Sequence, residues 1–115
     1  MTERKSSFET LDCWKAGRRL KAFIRAEIRP KLPKDERYDL ADQLRRAARS
    51  ITANIAEGYG RYHFLDEAKF LSNSRGSAHE VLDHLIDAFD ESYIDDELLQ
   101  KSRKHIDEVL RLING

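Results

Sequence analysis

Several kinds of residue are scarce in this chain, and each scarcity removes a class of answer. A single cysteine, Cys13, leaves no internal disulfide to form, which fits a reducing compartment. Two prolines and five glycines in 115 residues leave little to interrupt helices, so long elements are expected. No apolar run approaches the roughly 18 residues that a membrane span needs. The opening, M-T-E-R-K-S-S-F-E-T, has no apolar core of a signal peptide. The expectation is a cytoplasmic chain with no membrane partner. Net charge is zero, which argues against a strongly basic nucleic-acid domain. This length predicts one domain, 1–115, able to bury a core without a metal or disulfide staple.

Charge is nevertheless abundant and unevenly placed. Residues 1–62 hold 15 Lys+Arg against 9 Asp+Glu, and residues 63–115 hold 6 against 12. That asymmetry permits a basic patch on the first half, or basic-to-acidic docking within the chain or between copies.

The chain is organised around 43–61, Q-L-R-R-A-A-R-S-I-T-A-N-I-A-E-G-Y-G-R. Leu40, Leu44, Ala47, Ala48, Ile51 and Ile55 recur at helical steps, as an apolar helix face does. Beside them runs a second stripe, Asp39, Gln43, Arg46, Ser50, Asn54, Glu57 and Arg61. It reads either as a polar rim where helices meet or as a binding or assembly surface. Spacing alone does not separate the two.

Four helices follow from the periodicity. Residues 1–9 are polar and expected to fray, with Phe8 tucked back onto the bundle. Thr10, or Ser6 with Glu9 at capping-box spacing, would start the first helix. It runs to about Arg29 on Cys13, Ala16, Gly17, Leu20, Phe23, Ile24 and Ile28, with Trp14 on a flank as a packing anchor. Pro30 and Pro33 end it. The second helix is expected from Asp35, as N-cap, to about Gly58, where G-Y-G supplies a left-handed cap. The third spans about Phe64 to Asp90, on Phe64, Ala68, Leu71, Ala78, Leu82, Leu85, Ile86 and Phe89. Its small-residue run, S-N-S-R-G-S-A at 72–78, lets a facing helix come close, and Arg75 within it, if buried, needs a partner, for which Glu57 or another acid on the second helix is the candidate. The fourth runs from about Asp96 to Ile113 on Leu99, Ile106, Val109, Leu110 and Ile113. Short connections make this an all-α, antiparallel up-down-up-down four-helix bundle.

Signatures of chemistry are missing. A di-iron bundle needs Glu-x-x-His, but three residues before His63, His79, His84 and His105 stand Gly60, Gly76, Val81 and Ser102. His79 and Asp83 could share a helix face as two ligands, although scattered helix histidines usually face solvent. Cys13 has no histidine near it in sequence and falls on an apolar stripe, as an inert buried thiol would. No nucleophile elbow, phosphate loop or dinucleotide motif is present. No enzyme activity, metal or cofactor is expected. Binding remains. Arg45, Arg46 and Arg49, with Arg37 before and Arg61 after, crowd one helix, and Tyr59, Tyr62 and His63 add rings. Arginines with aromatics suit phosphate contact and base stacking, and equally a protein interface.

Three segments carry a resemblance: F-E-x-L-D-C-W-K-A at 8–16, the long run at 43–61, and R-G-S-A-H-E at 75–80. They resemble the 23S rRNA intervening-sequence proteins, over nearly the whole chain from Phe8. The resemblance implies small bacterial proteins folded as antiparallel four-helix bundles and similar to the pentameric accessory protein of diversity-generating retroelements, which binds nucleic acid and a reverse transcriptase. The family pattern maps onto Gln43, Arg46, Ser50, Asn54, Glu57, Gly58, Arg61, Gly76, Ser77 and Glu80, and Cys13 stands where an aliphatic residue is more usual. The expectation is a non-enzymatic self-assembling bundle, a homopentamer on the resemblance, that binds RNA or DNA through Arg45, Arg46, Arg49, Arg61, Tyr59 and Tyr62. The alternative is an adaptor that binds partner proteins only.

Overall fold

A computed structural model describes residues 7–115, and these form four long helices with no strand among the described residues. Helix α1 is Asp12–Phe23, α2 is Leu40–Tyr59, α3 is Phe64–Asp90 and α4 is Asp96–Asn114. The bundle measures 49 × 34 × 25 Å. One apolar cluster runs through it, built from all four helices and Ile94. Its densest contribution comes from α2, where all six residues of the expected apolar face are buried.

Both ends of α1 depart from the expected outline. Ser6 lies outside the described residues, as does most of the expected frayed segment. Ser7 instead caps a short 3-10 turn, Phe8–Thr10, by accepting a hydrogen bond from Glu9 N. Phe8 meets Trp14 edge-on, with ring centroids 5.3 Å apart, and α1 then starts at Asp12, after Leu11, which offers no side-chain cap. At the far end the helix widens into a π-turn, Ile24–Ile28, and tightens into a 3-10 turn, Arg29–Lys31. Pro30 explains the widening. Its ring would meet the carbonyl four residues back in an α-helix, and the wider turn moves that carbonyl aside while keeping Ile24 and Ile28 buried.

Helix α2 begins four residues later than the Asp35 cap predicts, with Asp39 at the N-cap position. The chain first makes a 3-10 turn, Lys34–Glu36. Glu36 then does the capping: its Oε1 accepts from Leu40 N at 3.3 Å. Its other oxygen accepts from the Tyr93 hydroxyl at 2.8 Å, tying the α3–α4 turn to the start of α2. That hydrogen bond, with partial burial and the carboxylate charge, pushes the Tyr93 phenol up to about 12.

The expected left-handed glycine cap after α2 is absent, because no described glycine has positive φ. Gly58 serves close approach instead. A Cβ there would sit 3.0 Å from Phe70 Cβ and 3.3 Å from the Glu67 carbonyl. The left-handed residue is Ser92, with φ 64°. Around it Ser92 N donates to Phe89 O and Tyr93 N to Ala88 O, the paired bonds that close a helix C-terminus.

The buried stripe of α3 is Ser74, Ala78, Val81, Leu85 and Ala88. It is rotated from the expected one: Leu71, Leu82 and Ile86 are only partly buried, and Phe64 is exposed. Ala68 and Phe89 are exposed as well. Large residues flank the α2–α3 seam, while small ones fill it. Ser74 donates from its buried hydroxyl to Ile51 O at 2.8 Å, which is possible only where α3 presents no bulk. At 27 residues against 19, α3 outreaches α4 by about 12 Å at 1.5 Å per residue.

On the other side of α2, Gly17 gives the close approach to α1. A Cβ on Gly17 would lie 2.8 Å from the Thr52 methyl and 3.3 Å from that of Ile51. Thr52 is buried, and a β-branched side chain has little rotamer freedom in a helix. Gly17→Ala should therefore forfeit the roughly 1 kcal/mol of helix propensity it would gain elsewhere. We expect net destabilisation of about 1–3 kcal/mol from overpacking, read as a lower urea midpoint. Adding Thr52→Ser should recover part of it, making the double variant cost less than the two single changes together.

Candidate nucleic-acid interface

The polar stripe of α2 divides into three groups. At its start Gln43 donates to Asp39 at 2.9 Å. In its middle Asn54 donates to the Ser50 carbonyl and hydroxyl at 2.8 and 2.9 Å, and Ser77 of α3 donates to the Ser50 hydroxyl at 2.7 Å. These three side chains stitch the α2–α3 seam, so the polar-rim reading accounts for them. Gly76 faces open space, with nothing within 4 Å of a Cβ built on it, and so plays no part in the close approach expected of its segment. Glu80 lies 3.3 Å from His84.

The expected Glu57–Arg75 pair does not form. Glu57 binds Arg61 at 2.7 Å, one helical turn on. Arg75 donates to the Asn114 side chain at 2.9 Å, anchoring the end of α4. Geometry decides this: Glu57 lies near the end of α2, level with the first turns of α3, whereas Arg75 faces α4.

The six residues expected to bind nucleic acid also separate. Arg61 is held by Glu57 and stacks over Phe70, 4.8 Å from the ring centroid. Tyr59 and Tyr62 are exposed beside it, with Phe64 and Leu65, at the tip of the α2–α3 hairpin. Arg46 points outward and binds Asp42 at 2.9 Å. Arg45 and Arg49 lie elsewhere, facing α1.

There they meet a row of cations from α1 that the reading of α2 alone missed. A groove of about 380 Å³ runs between the two helices. Among the described residues lining it, Lys21, Arg25, Arg29, Arg37, Arg45 and Arg49 are cationic, and Asp42 is the one carboxylate. Its floor is Ile24, Ala41 and Ala48, and Tyr38 stands at one end. The signal was present in the sequence. Lys21, Arg25 and Arg29 follow Leu20, Ile24 and Ile28 residue for residue, so a basic stripe borders the apolar one. The π-turn keeps the last of them on the α2 side, since a wider turn takes more residues per revolution.

The electrostatics of the groove follow from this crowding. Lys21 is pushed below the usual lysine range by partial burial and then by Arg49, Arg25 and Arg18. Asp42 is held below the usual carboxylate range, first by its hydrogen bond with Arg45 and also by Arg46. One carboxylate is thus shared by two guanidinia, and the remaining cations have no acid on the groove lining. The complementary feature is a second concavity, about 920 Å³, at the α3–α4 turn. Glu27, Asp90, Asp95, Asp96 and Glu97 line it, with Lys31 and Lys101.

Among the described residues no three His, Cys, Asp or Glu gather as metal ligands. Cys13 is half-buried rather than fully buried, and burial raises its pKa, away from a reactive thiolate.

A family model described as 23S rRNA-intervening sequence protein matches residues 9–115. The chain belongs to that family. A search of curated proteins finds no match. Within the run 43–61, Ser50, Asn54 and Gly58 lie on the α2–α3 seam and hold two helices together, while Arg45 and Arg49 line the groove. Much of the motif is therefore explained by folding, and the cationic groove lies outside its polar stripe. No helix is long and apolar enough to cross a membrane among the described residues.

Because Glu57 and Arg75 have separate partners, their contributions should be independent. Glu57→Ala and Arg75→Ala are expected to destabilise additively, with a coupling below about 0.5 kcal/mol in a double-mutant cycle. A larger coupling in urea unfolding would show a shared interaction.

Proposed function

We propose that this protein binds nucleic acid, RNA foremost, through the α1–α2 groove, as an assembly of several copies and without catalysing a reaction. The observation that carries the reading is the lining itself: six cations against one carboxylate in a chain of zero net charge. Such a concentration is costly in self-repulsion and is relieved by a polyanion. The groove's cations would displace the counterions condensed on the strand's phosphates, giving affinity with little sequence preference and steep salt dependence. Most of the cations are exposed, so they are free to reach phosphates and their removal leaves the core untouched.

Replacing Arg45 and Arg49 together by Gln should weaken binding of RNA and DNA uniformly across sequences. The salt dependence should flatten by about two phosphate contacts' worth, roughly 0.9 in slope for each contact to duplex. Helical content and assembly mass should stay the same. Arg61→Gln, on the order of 20 Å away along α2, should leave the slope unchanged. Absence of any binding at low salt by folded protein would defeat the reading.

A second reading is favoured by the acidic concavity at the α3–α4 turn. Basic surface of one copy could meet acidic surface of the next, which would make the groove an assembly contact and the protein an adaptor for other proteins. Either reading includes heterologous, head-to-tail contacts that close into a ring, and a homopentamer is the ring proposed. The exposed apolar tip, Tyr62, Phe64 and Leu65, adds surface that assembly would cover. Light scattering should give a mass several times 13.4 kDa in moderate salt, and a monomer at tens of micromolar would refute assembly. If the Arg45→Gln, Arg49→Gln variant falls apart into monomers, the groove is an assembly contact and the adaptor reading wins.

A further inference from the structure

We infer that the α1–α2 groove takes a single strand and stacks one of its bases on Tyr38. The inference rests on the nucleic-acid reading of the groove and names the form of ligand that the groove selects. Tyr38 sits in the turn just before α2, and its side chain is 84% exposed. A large ring held in water at the mouth of a groove contributes nothing to the core. The Arg37 guanidinium lies 5.4 Å from its centroid, so one side of the ring is engaged by a cation and the other is open. The groove that leads away from it carries Arg25 and Arg29, in the π- and 3-10 turns that follow α1, and Arg45 and Arg49 on α2.

Arg45 and Arg49 are spaced by about one turn of α2, roughly 5.4 Å, a step comparable to that between successive phosphates of an extended strand. A positively charged track with an aromatic platform is the combination that single-stranded sites use: the track follows the backbone and the ring takes the face of a base. A duplex can use the track but not the platform, because its bases are already stacked on each other. Tyr38 therefore adds affinity for a single strand alone. With one ring and one free face, it adds that of one base. The ring makes no demand on base identity, since every base offers a π face. The selectivity is for strandedness, not for sequence.

The test compares wild type, Tyr38→Ala and Tyr38→Phe by fluorescence anisotropy on three probes: a short single-stranded RNA, an abasic strand of the same charge, and a duplex of the same length. Tyr38→Ala should weaken single-strand binding about 5- to 150-fold, the equivalent of one stacked base at 1–3 kcal/mol. Tyr38→Phe should bind as wild type does. On the abasic strand and on the duplex, Tyr38→Ala should cost nothing, and the salt slope should not change on any probe. Circular dichroism checks that the variant folds, as an exposed position allows. Unchanged single-strand affinity for Tyr38→Ala, or an equal loss on the abasic strand or duplex, overturns the stacking inference and leaves phosphate binding by the groove intact. Wild type that binds none of the three probes overturns both.

Discussion

Everything in this bundle depends on how closely α2 approaches its two neighbours. Gly17 of α1 meets Thr52 and Ile51, and Gly58 of α2 meets Phe70 and Glu67 of α3. Between them the buried Ser74 and Ala78 keep the α2–α3 seam thin enough for a side-chain hydroxyl to reach a backbone carbonyl. Helix packing distance follows the size of the side chains at the contact. With small residues at these points, α2 presses its whole apolar face into the core, and its flanks come within reach of polar groups on both neighbours. On the α3 side the result is the Ser50–Asn54–Ser77 cluster. On the α1 side it is the cationic groove. The first is closed upon itself, whereas the second has far more donors than acceptors.

That contrast explains why the two flanks of one helix have different fates. Hydroxyls and amides both donate and accept, so a few of them can satisfy each other across a seam. Guanidinia and ammonium groups only donate. Packed in a row with one carboxylate between them, they have water and counterions for company. Opposite charge gathers in the second concavity at the α3–α4 turn, whose lining shares no residue with the groove. A chain of zero net charge therefore behaves locally as a strong cation and a strong anion, which its overall composition conceals.

Periodicity made the helices legible, and α2 most of all, since all six of its expected core residues are buried, joined by Thr52 and Gly58. The boundaries of α3 were equally plain. Its buried face was not, because Val81 and Ala88 are modest in bulk next to Leu82, Ile86 and Phe89, and hydrophobicity alone favours the larger residues. Local signals also misled at the caps. Asp35 has the right chemistry for an N-cap, but Glu36 reaches Leu40 N, and Ser92 takes the left-handed turn usually given to glycine. At the candidate site, Arg45 and Arg49 were visible as a cluster on one helix. Their partners Lys21, Arg25, Arg29 and Tyr38 come from other elements, so only the packing of α1 against α2 brings them together. Arg61, Tyr59 and Tyr62 stand apart from those arginines because the length of α2 carries them to its other end.

The unequal lengths of α3 and α4 have a consequence for local stability. Because α4 ends where Asn114 meets Arg75, the first turns of α3 lean on α2 alone. Opening free energy depends on how much apolar surface a segment buries, and here Phe64, Leu65 and Tyr62 bury little. Amide protons in these turns should exchange through local fraying, while those around Leu85 and Ile106 wait for global unfolding. The hairpin tip is thus a region whose order is set by what it touches rather than by the core, and it can change partners without disturbing the four-helix body behind it.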